Sequence, residues 1–190
     1  MQAKLLSTGL VGAVLAAGIA ALTASAQAQG QAETSAAATH LFVKRANAET
    51  LEPSATSVSR VMLTADQTNG RYSVIDETFQ PGMKSPPHRH AYHSETFIVL
   101  AGKLRWTIAG ETDVIGPGDL VYIPPDTSHW TEVVGDEPVH AIMLYEPGGF
   151  EIGLRLRAAA RREGQTGGPA GAPRTPNPFA DFIPDSRAGE

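Results

Sequence analysis

The chain has 190 residues, no cysteine and a formal charge of −5. Without cysteine there is no disulfide framework and no site for lipid attachment, so the fold must hold by its core. Mild acidity gives no reason to expect nucleic acid or an anionic membrane as partner.

The first element reads as a signal peptide, residues 1–28. Lys4 supplies a basic start, Leu5 to Leu22 an apolar run, and Thr23-Ala24-Ser25-Ala26-Gln27-Ala28 small residues at A-x-A spacing. Cleavage is expected after Ala28. A retained anchor is the weaker reading, because Ser7, Thr8, Gly9, Gly12 and Gly18 interrupt the run. Twin arginines do not precede it, which points to export in the unfolded state. The expected location is periplasmic or secreted, with no membrane contact after cleavage. Removing residues 1–28 takes away only Lys4, so −5 becomes −6.

Residues 29–39 are rich in Ala, Gln, Ser and Thr and read as a flexible linker. A single domain over 40–163 follows. Val58 to Thr64 and Tyr72 to Phe79 are strands on either side of Asn69-Gly70, a hairpin signal. Thr96 to Leu100 is a third strand. Lys103 to Ile108 alternates polar and apolar residues, which aims Leu104, Trp106 and Ile108 at a core. Leu120 to Ile123, His129 to Val134 and Val139 to Tyr145 complete the set. Short strands broken by frequent turns predict an all-β sandwich or barrel. Glu151 to Glu163 reads instead as one C-terminal amphipathic helix, with Ile152, Leu156 and Ala159 on its apolar face. Residues 164–190 are Pro/Gly-rich and read as a disordered tail, in which Phe179, Phe182 and Ile183 are the residues able to dock.

One stretch stands out: GMKSPPHRHAYHSETFIVLAG, residues 82–102. His40 and His140 are isolated and carry no expected chemistry. His88 and His90 are two apart, so on a strand they share a face. Glu95 heads an apolar strand, where a carboxylate is costly unless paired or metal-bound. His129 opens another strand. Strands wrapped into a barrel would bring the four together. By alternation, His93 falls on the opposite side and reads as a solvent-exposed loop residue.

These residues resemble the cupin superfamily. Its first motif is Gly, five residues, His-x-His, three or four residues, Glu, six residues, Gly; here Gly82, His88, His90, Glu95 and Gly102 fit it. The second is Gly, five residues, Pro-x-Gly, two residues, His, three residues, Asn. Gly118, Pro124 and His129 fit, whereas Asp126 replaces the second glycine and Val133 the asparagine. Within the superfamily the chain is similar to small single-domain proteins of the quercetin 2,3-dioxygenase type, on PPHRHAYHSETFIVLAGKL, IGPGDLVYIPPDTSHW and EPGGFE.

The resemblance implies a cupin double-stranded β-helix, or jelly-roll barrel, holding one divalent metal ion. His88, His90, Glu95 and His129 would be its ligands, with Cu, Zn, Mn, Fe or Ni as the ion. In the periplasm the affinity order favours Cu and Zn over Fe and Mn. Glu95 is also the catalytic candidate, as the group that takes a proton from substrate. Phe79, Met83, Tyr92, Phe97, Trp106, Tyr122, Trp130 and Tyr145 are candidate pocket walls. Phe97 shares strand parity with Glu95, and Met83 and Tyr92 are placed at the mouth. The expected function is that of a metal-dependent oxygenase acting on a small aromatic or enolisable substrate. A non-enzymatic small-molecule or sugar-binding cup, and a metal-dependent isomerase or lyase, are the alternatives. Edge pairing through His40 to Val43 would give a homodimer.

Overall fold

Side-chain alternation sets the inner face of each strand, and the inner faces build the core. In the computed structural model, residues 40–164 and 182–185 are described. The signal segment, the linker and most of the tail lie outside them. Among the described residues no helix is long and apolar enough to cross a membrane.

The strands run in chain order as β1 (Glu49–Ser54), β2 (Ser57–Leu63), β3 (Ser73–Phe79), β4 (His88–His90), β5 (Ser94–Ala101), β6 (Leu104–Ile108), β7 (Glu111–Ile115), β8 (Leu120–Ile123), β9 (His129–Val133) and β10 (Val139–Glu146). Helix α1 (Phe150–Arg162) follows, and a short strand β11 (Phe182–Pro184) comes last. They form two antiparallel sheets, ordered β1-β2-β3-β10-β5-β8 and β11-β4-β9-β6-β7. Leu104 and Trp106 are buried as expected, and Ile108 packs against the same core. Opposite them, Ile75, Val99, Ala141 and Met143 come from the six-stranded sheet. Full burial of a side chain such as Leu104 is worth roughly 1.5–3 kcal/mol, so a few such positions hold the layers together.

Some positions differ from the sequence reading. β1 forms one edge of the six-stranded sheet, while Leu41, Phe42 and Val43 are exposed and outside any strand. Between β2 and β3 the chain makes a 3-10 turn, Asp66–Thr68, before Asn69 and Gly70 take positive φ values of 54° and 77°. The connection is thus wider than a two-residue hairpin.

Helix α1 forms where expected but shows the other face to the core. Phe150, Leu154 and Ala158 are buried, whereas Ile152 and Leu156 are 36% and 49% exposed. Both faces carry apolar residues, so periodicity alone does not choose between them. The anchors at the helix start choose. Phe150 stacks on Tyr145 with centroids 3.7 Å apart, and buried Glu151 accepts from Ser73 Oγ at 2.6 Å and from the Ala65 N–H at 2.9 Å. Arg155 and Arg161 then pair with Glu49 and Glu52 on β1.

Within the tail, Phe182–Pro184 departs from the disordered reading. It pairs antiparallel with β4, with Ile183 opposite Arg89, and Asp185 N–H donates to Pro87 O at 3.0 Å. An edge strand with open hydrogen-bonding groups accepts a short apolar segment readily.

Candidate metal centre

The centre is assembled from three strands, β4, β5 and β9. The period-two geometry of β4 sends His88 and His90 to the same side. In the pairing of β4 with β9, His88 stands directly opposite His129. Their rings lie 4.3 Å apart between centroids. Glu95 enters from the six-stranded sheet, where it faces Tyr145 on β10. His88, His90, Glu95 and His129 are all buried, and one donor atom from each lies within 4.8 Å of the others.

Backbone carbonyls orient two of the rings. His88 Nδ1 is 2.8 Å from Pro86 O, and His129 Nδ1 is 2.7 Å from Thr127 O. A carbonyl only accepts, so each Nδ1 carries a proton, which leaves each Nε2 as the atom turned toward the cluster. Burial, aided by the charge of His129, pushes His88 down to about 3, so its ring is neutral near pH 7. Tyr145 donates its hydroxyl to Glu95 Oε1 at 2.5 Å. Burial, then the Glu95 charge, hold that phenol well above its usual range, so it remains a donor. For Glu95, burial acts upward but is outweighed by the facing His129 and His90 rings, which hold the carboxyl well below the usual range.

The remaining atoms test whether a metal fits. Glu95 Oε2 is 3.1 Å from His129 Nε2 and 3.5 Å from His90 Nε2. Neither Glu95 Oε2 nor His129 Nε2 has a hydrogen-bond partner. A buried carboxylate oxygen and an imidazole nitrogen this close need a proton or a cation between them. A second proton on the ring serves one such contact; a metal ion serves all four donors. Three imidazoles and one carboxylate suit a divalent transition ion, so the donor set fits.

The centre opens into a cavity of about 280 Å³. Met83, Phe97, Trp106 and Tyr145 line it, with Phe150 and Leu154 contributed by α1. Phe79 lines it as well. Tyr92 and Tyr122 are 43% and 55% exposed and do not line it, nor does Trp130. His93 is corrected more sharply: it is 1% exposed, packed 6.1 Å from Phe150 and 6.2 Å from Tyr145 between ring centroids. The chain bends between β4 and β5, so alternation does not carry across residues 91–93. His93 is nevertheless outside the four-residue cluster. His140 bonds buried Asp76 at 2.8 Å, and His40 is exposed. Sequence reasoning missed Glu77, Ser59 and Arg157, which also line the cavity. The inward parity of Ser59 and Glu77 on β2 and β3 was their available signal.

A family model described as a cupin domain matches residues 75–145. Residues 75–145 thus carry the sequence pattern of a cupin domain. Its relatives include quercetin 2,3-dioxygenase of Bacillus subtilis, 30% identical over 95 residues, 46% of this chain and 27% of that one. The mannose-1-phosphate guanylyltransferase ManC of Salmonella typhimurium is 35% identical over 72 residues, 38% of this chain and 15% of that protein. The chain thus spans about a quarter or less of these curated relatives' lengths. Among solved structures, an RmlC-like cupin from Shewanella frigidimarina superposes with a TM-score of 0.52 at 17% identity, covering 60% of this chain and 96% of that one. This likeness establishes the cupin fold.

The cupin pattern has glycine where this chain has Asp126. Here Asp126 takes φ 58°, the left-handed region that glycine adopts without strain and aspartate tolerates better than most residues. Its N–H donates to His90 O at 2.6 Å and its Oδ1 accepts from Arg89 Nη1 at 2.9 Å. Asp126 therefore fastens the 124–128 loop to β4. Asp126→Gly is expected to cost under ~1 kcal/mol and Asp126→Val more than ~1 kcal/mol, read from urea unfolding midpoints.

Proposed function

We propose that this cupin is an exported, metal-dependent oxygenase of the quercetinase type, acting on a small aromatic or enolisable substrate. The observation that carries the reading is the Glu95 carboxylate, held by Tyr145 at one oxygen and facing the histidine cluster with the other. When bound, a divalent ion at His88, His90, Glu95 and His129 supplies Lewis acidity toward a substrate oxygen.

The chain's own residues do the rest. Neutral His88, with its Nδ1 bonded to a carbonyl, keeps its Nε2 lone pair fixed in direction. Tyr145 fixes the carboxylate plane, which leaves Glu95 Oε2 as the oxygen that accepts the substrate hydroxyl proton. Phe97 and Trp106, 4.7 Å apart between centroids and edge-on, form an apolar wall for a flat ring. Trp106 Nε1 is buried without a hydrogen-bond partner and offers a donor to a substrate oxygen. The cavity of about 280 Å³ admits one small molecule and little accompanying water.

Oxygen uptake by metal-loaded protein against flavonols, catechols and diketones tests this reading. Turnover of at least one class is expected. No turnover, with ligand binding equal in metal-loaded and metal-stripped protein, makes the chain a binding cup instead. Export rests on the pattern of residues 1–28. Recovery from the periplasm with Gln29 at the N-terminus is expected, by N-terminal sequencing; a cytoplasmic product retaining Met1 contradicts it.

A further inference from the structure

A second polar group lines the same cavity. Glu77 on β3 is 2% exposed and Ser59 on β2 is 0% exposed. They are cross-strand partners, and both line the cavity wall. Glu77 Oε1 and Ser59 Oγ have no well-formed hydrogen bond, and the polar side chain close enough to act on Glu77 as a hydrogen-bond partner is Ser59. An unsatisfied buried polar atom costs about 1–3 kcal/mol, so two side by side on an inward sheet face need an explanation. Packing supplies none, because an apolar pair of similar size would fill the space without that cost. The neighbour across the other edge of β3 is Ala141, too small to cover them.

Position separates this pair from the metal cluster. Glu77 stands opposite Ala141 of β10, while Glu95 stands opposite Tyr145 on the same strand. Four residues along β10 are about 13 Å. Exposed Ser54, which ends β1, and partly buried Thr56 in the turn after it line the cavity, as do exposed Lys84 and Pro86 beside His88. A ligand reaching the histidines from that turn passes Glu77.

We infer that Glu77 and Ser59 form a second subsite, which binds a hydrogen-bond-accepting oxygen at the end of the ligand remote from the metal cluster. The ligand class is a small molecule with oxygen functions at both ends, such as an aromatic diol bearing a carboxylate or a carbonyl. The inference rests on the proposed function for the metal end, and not for the Glu77 end.

The charge state agrees with the geometry. Burial raises the Glu77 carboxyl to about 8. The Ser59 hydroxyl, the Arg157 guanidinium on α1 and Arg60 act downward, and neighbouring Asp76 acts upward. At pH 7 the group is therefore mainly a neutral acid, able to donate its O–H without repelling an anion. Above pH 8 it becomes a carboxylate, which only accepts, and the subsite turns against an anionic oxygen.

The test titrates Zn²⁺-loaded full chain with catechol, 3,4-dihydroxybenzoate and benzoate, at pH 6.5 and 9.5. At pH 6.5, wild type and Glu77→Gln are expected to bind dihydroxybenzoate about ten-fold more tightly than catechol, and Glu77→Leu to lose that advantage. At pH 9.5 wild type falls about ten-fold below Glu77→Gln, a comparison in which the ligand's own ionisation cancels. An advantage that survives in Glu77→Leu, or a parallel fall of wild type and Glu77→Gln, overturns the subsite. Benzoate has no diol and reads the Glu77 end alone. If it binds wild type and not Glu77→Leu while catechol binds His90→Ala unchanged, the subsite stands and the metal reading fails. If neither acid responds to Glu77→Leu, the subsite fails whatever catechol does.

Discussion

Glu95→Gln is expected to lower turnover at least about 100-fold at full metal occupancy, the scale of a lost general base. Glutamine keeps the size of the side chain and keeps an oxygen to accept the Tyr145 hydroxyl now 2.5 Å from Glu95 Oε1. It replaces the proton-accepting Oε2 with an amide donor. The loss should fall on kcat, because the apolar wall of Phe97 and Trp106 is untouched. Metal content has to be measured beside the rate, since Glu95 belongs to the donor cluster as well. A variant that holds its metal and retains more than a tenth of the rate removes the proton-transfer role and leaves Glu95 a plain ligand.

Stripping the metal is expected to lower the melting temperature by on the order of 10–15 °C. Binding to the folded state alone, at about a thousand times Kd, stabilises it by about 4 kcal/mol. For a domain of this size that free energy corresponds to roughly this shift. Addition of Zn²⁺ should restore it, and His129→Ala should abolish the difference between stripped and loaded protein. Equal melting of stripped and loaded wild type contradicts a metal at this cluster.

The four clustered residues were legible because two local patterns place them. Strand parity aligns His88 with His90, and glycines at 82 and 102 mark the turns that bound the segment, with φ of 81° and 76°. At Gly102 a Cβ would also stand 2.7 Å from Pro138 O, so the turn admits no other residue without displacement. What stayed hidden depends on contacts between distant segments. His93 is buried because Phe150, far along the chain, covers it. The buried face of α1 is set by Glu151 reaching Ser73 and Ala65. Glu77 and Ser59 read as ordinary polar residues in strands until the pairing of β2, β3 and β10 puts them on one wall. The Phe182–Pro184 strand has no periodicity of its own; only the open edge of β4 gives it a place.

The two carbonyls that hold His88 and His129 belong to Pro86 and Thr127, and they are main-chain groups. Substitution of a side chain leaves a carbonyl where it was, so the aim of these imidazoles is largely insulated from point mutation. The walls have no such protection. Phe97, Trp106, Met83 and Glu77 are each replaceable by a single codon change. Divergence of this scaffold is thereby channelled: preference among ligands can drift by small steps while the donor geometry persists. An effort to redirect the protein toward a new compound should therefore vary the wall positions and leave the loops at 86 and 127 alone.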